Sequence, residues 1–95
     1  MKVELSAEAQ AQVDRIDAWW REHRPAAPSL FAEELEAALR TLSATPAAAL
    51  RYSPKPGVRR LLLGRTRHHV YVVERESKLL VVAVWSAYRG RGPRL

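Results

Sequence analysis

The chain has no cysteine, which removes disulfides, thiolate nucleophiles and cysteine zinc sites as ways of holding a fold or doing chemistry. Its three histidines, His23, His68 and His69, do not make up for that loss. His68 and His69 are adjacent, so a regular strand points them to opposite faces and they cannot share one metal ion. No metal site and no cofactor are expected. Long apolar runs are missing too. The opening MKVELSAEAQ carries one lysine, two glutamates and no apolar stretch of signal-peptide length, and no window approaches the roughly 18 apolar residues of a membrane span. A soluble cytoplasmic protein with no membrane partner is the expectation. There is also no internal repeat, no phosphate-cradling glycine loop and no nucleophile elbow.

What is present suffices for one domain over residues 1–95. With 47% hydrophobic and 27% charged residues, the chain has the make-up of a folding domain with a single modest core. Its net charge of +6 and pI near 10.5 favour polyanionic or acidic partners, whether nucleic acid or protein.

Lys2 to Leu5 alternates polar and apolar residues and predicts a short leading strand. Ser6, with Glu8 and Ala9 behind it, has the form of an N-cap, so a helix starts near Ala7. Ala9, Val13, Ile16 and Trp20 then repeat at four, three and four, giving one apolar face that Trp19 flanks. Pro25 and Pro28 break this helix and open a second. Phe31, Leu35, Ala38 and Leu42 place that second helix at about Pro28 to Ser43, antiparallel to the first. Glu33, Glu34 and Glu36 crowd its first half and read as a solvated face.

From Thr45 to Gly57 the prolines predict a loop, with a helical turn at Ala47 to Leu50. Arg51, Tyr52 and Lys55 make it basic with one aromatic, a combination that can grip a phosphate backbone. Three antiparallel strands follow: Val58 to Leu63, Thr66 to Glu74 after a type II′ turn at Gly64, and Leu79 to Trp85. The last strand is apolar on both sides, Leu79, Val81, Ala83 and Trp85 against Leu80, Val82 and Val84, as befits a central strand. Arg89, Arg91 and Arg94 follow it. The whole is an α+β domain: N-terminal strand, two-helix hairpin, then a three-stranded meander with the helices on one face.

The stretches LSAEAQAQVDRIDAWWREHRPAAPSLFAEELEAALRTLSATP, PGVRRLLLGRTRHHVYVV and VVAVWSAYRGRG resemble the RelE/ParE toxins of bacterial type II toxin–antitoxin pairs. The resemblance implies a toxin neutralised by a cognate antitoxin. ParE-like members poison DNA gyrase, and RelE-like members cut messenger RNA in the ribosomal A site. On the nuclease pattern Arg59, His68, Tyr88 and Arg89 fall at or near catalytic positions, while Leu61, Ser86 and Ala87 stand where the pattern carries basic residues. The gyrase reading asks less of single side chains and is preferred. Candidate contacts to a partner or nucleic acid are Trp19, Arg60, Arg65, Arg67, Arg91 and Arg94. A non-toxic basic binding module on the same fold is the third reading.

Overall fold

The computed structural model describes residues 1–88 and 90–95. Strand β1 (Lys2–Leu5) runs directly into helix α1 (Ala7–His23), and Ser6 makes the corner. Its hydroxyl accepts the Ala9 N–H at 3.1 Å, satisfying one of the unpaired donors of the first turn. Glu8 lies at the positive end of α1 and Arg21 and His23 at the negative end, the order the helix dipole favours. Helix α2 (Leu30–Ala44) starts two residues later than the prolines suggest, because Ser29 takes the N-cap position. It buries Phe31, Leu35, Ala38 and Leu42, as their spacing predicts.

The sheet has five strands in the order β1-β5-β4-β3-β2. β3 (Val58–Leu63), β4 (His68–Arg75) and β5 (Lys78–Ser86) form the antiparallel meander. β1 pairs parallel to β5, from Lys2 opposite Lys78 to Leu5 opposite Val81, which makes β5 an inner strand. On the helix side of the sheet Leu61, Leu63, Val70, Val72, Leu79, Val81 and Val84 join α1 and α2 in the main core, where Phe31, Leu42, Val70, Val72, Val81 and Val84 are almost fully buried. Each such side chain contributes about 1.5–3 kcal/mol by leaving water.

Three local features differ from the sequence expectation. The stretch after α2 contains a 3₁₀ turn at Pro46–Ala48 and then a fifth strand, β2 (Leu50–Arg51), paired with β3. Two residues carry too little periodicity to be recognised, and their pairing partner lies elsewhere in the chain. The β3–β4 connection is not a type II′ turn. Arg67 takes the left-handed conformation (φ 63°) and donates its N–H to the Leu63 carbonyl, so β4 starts at His68. The β4–β5 turn does have a primed geometry, with Glu76 and Ser77 both at positive φ, which matches the twist of the flanking strands.

The third difference is a bulge. Tyr71 opposes Ala83 while Val72 opposes Val81, so Val82 is an extra residue in β5. An extra residue reverses the facing of everything beyond it. Strict alternation would put Leu79, Val81, Ala83 and Trp85 on one face, but Leu79 and Val81 face the helices while Ala83 turns to the outer face and Val84 to the core. The Val84 N–H points past the end of β1, where the buried side chain of Gln12 accepts it at 2.8 Å. Without that acceptor the donor would be buried and unpaired.

Candidate functional site

The outer face of the sheet carries a second, smaller cluster: Val58, Tyr71 and Ala83, packed with Tyr52, Val73, Val82 and Trp85. Arg60 sits directly across from Tyr71 on the neighbouring strand. Its guanidinium lies 4.8 Å above the Tyr52 ring, and Nη1 donates to the Tyr71 hydroxyl at 3.3 Å. Tyr52 meets Tyr71 edge to face at 5.2 Å, so the cation closes a compact aromatic group. His69 flanks it, 6.0 Å from Tyr71. Burial holds the His69 ring below the usual histidine range, and the positive charges of Arg60 and Arg67 push the same way.

The C-terminal segment lies across this face. The Trp85 indole N–H donates to the Arg91 carbonyl at 3.0 Å, and Gly92 comes so close to Tyr52 that a Cβ there would stand 2.8 Å from its hydroxyl. A side chain at this crossing would have to displace the Tyr52 hydroxyl. Arg91 and Arg94 line, with Trp85, a concavity of about 590 Å³.

Among the described residues matched to the nuclease pattern, Arg59 does not converge with the others. Arg59 and His68 share the helix side of the β3–β4 hairpin, but Arg59 is paired with Val72 and His68 with Leu63, at opposite ends. Four residues of strand separate them, about 13 Å. His68 is buried, with its ring edge-on to Phe31 at 5.2 Å and Nδ1 3.3 Å from the Thr66 hydroxyl. Burial is the largest influence on its pKa and outweighs the Glu34 charge and the Thr66 contact, so the ring is held below its ordinary range. Tyr88 is 78% exposed, with the Arg67 guanidinium 5.8 Å from its ring. Arg89 lies outside the described residues. Arg65 and Arg67 are exposed in the β3–β4 turn, on the side of the molecule that holds Glu34.

Trp19 is 44% exposed at the end of α1. Its ring stacks on His23 at 4.8 Å and carries the Arg24 guanidinium at 5.1 Å. It forms one wall of a groove of about 290 Å³ whose other sides include Arg15, Ile16, Val84 and Ser86. The groove runs beside β5 where β1 has ended.

Sequence reasoning missed Glu34 and Gln12. The Glu34 carboxylate accepts the Arg65 N–H (2.7 Å), the Thr66 N–H (2.9 Å) and the Thr66 hydroxyl (2.7 Å), tying α2 to the β3–β4 turn. Both residues sit three places after a buried one, Phe31 and Ala9, and so border the apolar stripes. That position is the signal separating them from Glu33, Glu36 and Gln10, which stay exposed. Tyr52 and Tyr71 came from different segments, and only the β2–β3–β4 pairing brings them under Arg60.

The fold has a solved counterpart. A structure described as the chromosomal ParDE toxin–antitoxin system from P. aeruginosa superposes with a TM-score of 0.78, covering 90% of this chain and 95% of that one at 19% identity. No match was found among curated proteins. The family model for the ParE toxin of the type II toxin–antitoxin system parDE matches residues 3–89, nearly the whole length. The chain thus belongs to the ParE toxin family.

Proposed function

We propose that this chain is the toxin of a two-component module, held inactive by a cognate antitoxin, and that its target is DNA gyrase. The observation that carries the gyrase reading is the scatter of the would-be nuclease groups. Cutting RNA needs a base, a cation and an acid within hydrogen-bond reach of one phosphate. Here His68 is packed against Phe31, Arg59 stands at the far end of the hairpin, and Tyr88 lies with Arg67 beyond β5. A poison that acts by binding needs no such convergence. It needs contact surfaces, and exposed Trp19 and the arginines of the C-terminal segment are suited to that work.

For the antitoxin, the groove beside Trp19 fits an amphipathic, acidic segment: Trp19 and Ile16 offer apolar contact, and Arg15 offers charge. An acidic partner also offsets the +6 charge of the toxin. Induction in bacteria tests the reading. Growth arrest with double-strand DNA breaks and the SOS response, relieved by co-expressing the small neighbouring gene, is the expected result. Messenger RNA cut in the A site with intact DNA would overturn the gyrase target, and normal growth would overturn toxicity itself.

A further inference from the structure

Arg51 on β2 and Arg59 on β3 are register partners. The Tyr52 N–H bonds the Val58 carbonyl, which makes Arg51 and Arg59 a pair of the non-hydrogen-bonded kind. In such pairs the two Cα atoms approach to about 4.5 Å and the side chains lie closest together. Like charges directly opposed in this way work against folding. Some cations of the chain are paired, Arg21 with Asp17, Arg40 with Glu36, and Lys2 and Lys78 with Glu4. Among the described residues, neither Arg51 nor Arg59 has a hydrogen-bonding or ion-pair partner for its side chain.

Both arginines are exposed and line an open concavity of about 550 Å³ on the helix side of the sheet. Val72 and Leu79 contribute its apolar lining, and Glu74 is its one acidic lining residue. The rim is a stiff loop. It contains Pro54 and Pro56 and is closed by backbone bonds from Lys55 N–H to the Tyr52 carbonyl (3.1 Å) and from Val58 N–H to the Lys55 carbonyl (3.1 Å), and Gly57 takes a positive φ of 85°. Lys55 is exposed on this loop. Two opposed guanidiniums on paired strands can together receive one oxyanion.

We infer that the opposed Arg51–Arg59 pair is a phosphate-binding site that grips the backbone of duplex DNA. A bridging phosphate removes the like-charge repulsion that the fold otherwise carries, and arginine forks suit the phosphodiester geometry. Glu74 then faces the phosphate across the cavity and weakens binding instead of pairing the arginines. This site is on the other side of the sheet from the Arg60 cluster, and it does not depend on gyrase being the target.

Fluorescence anisotropy with a short labelled duplex, titrated between about 50 and 200 mM salt, tests it. Arg51→Ala/Arg59→Ala should lose at least about tenfold in affinity, with a log–log salt slope shallower by about 0.9, the value for one phosphate shared by the pair. Arg21→Ala/Arg40→Ala removes the same charge from paired positions and should keep the slope. Glu74→Gln should bind more tightly. Thermal unfolding of Arg51→Ala/Arg59→Ala should show undiminished stability, which separates lost binding from lost fold. Equal losses in the two double variants, weaker binding by Glu74→Gln, or no duplex binding by the unmodified chain would overturn the proposal. So would preference for polyglutamate over the duplex at equal charge. Failure here would leave gyrase poisoning, read from trapped DNA cleavage, untouched.

Discussion

Glu34 is the side chain whose removal should tell most about how the fold is held. Its carboxylate accepts three hydrogen bonds from the β3–β4 turn, two of them from the buried residue Thr66. A buried donor left without its acceptor, here the Thr66 N–H, costs about 1–3 kcal/mol, while the exposed Arg65 N–H rehydrates once freed. Glu34→Ala should therefore cost about 2 kcal/mol, essentially through Thr66. For a chain of this size that lowers Tm by about 8–16 °C. Glu34→Gln keeps one accepting oxygen and should lose about half as much.

The pH dependence adds a second readout. Burial works to raise the Glu34 pKa, yet the Thr66 side chain, the Arg65 and Thr66 backbone donors and the Arg65 charge together pull it below its ordinary 4.5. A lowered folded-state pKa contributes stability above the ordinary value, which is lost as pH falls through the lowered one. Wild type and Glu34→Ala should accordingly differ most near neutral pH and converge in acid. Urea unfolding at a series of pH values measures both effects. A Glu34→Ala protein within about 0.5 kcal/mol of wild type, with a parallel pH profile, would refute the reasoning.

Other perturbations probe other parts. Gln12→Ala leaves the Val84 N–H buried without an acceptor and should cost about 1–3 kcal/mol in urea unfolding, whereas Gln10→Ala on the exposed face should change little. Gly92→Ala puts a Cβ against the Tyr52 hydroxyl and should lift the C-terminal segment, seen as faster tryptic cleavage after Arg91 with the remaining chain intact. His68→Leu should flatten the loss of stability on mild acidification. The lowered pKa of His68 contributes stability above its ordinary 6.5, and that contribution fades as pH falls through the folded value.

Much of this architecture was legible because it is written in strong periods. The stripes of Ala9 to Trp20 and Phe31 to Leu42 gave both helices, and the doubly apolar Leu79 to Val84 run marked β5 as an inner strand. The alternation in β3 and β4 put His68 and His69 on opposite faces, where the structure has them. What escaped depends on distant pairings or on single residues. β2 exists only because β3 offers Leu50 and Arg51 an edge. The bulge at Val82 reversed Ala83 and Val84 with no change in composition to announce it. Glycine at position 64 suggested a left-handed turn residue, yet Arg67 holds that conformation while Glu34 captures the turn's free donors. Of the functional candidates, the arginines of the outer face and tail were legible as charge. Which face lies outward was not, because it follows from where the helices lie and where the C-terminal segment crosses.

The measurement that bears most directly on the proposed activity uses purified toxin, purified gyrase and supercoiled plasmid. If the toxin acts by binding gyrase on DNA, linear plasmid should accumulate in an ATP-dependent cleavage assay, and prior addition of the cognate antitoxin should prevent it. Unchanged supercoiling and no linear product, together with messenger RNA cleavage on translating ribosomes, would contradict the account.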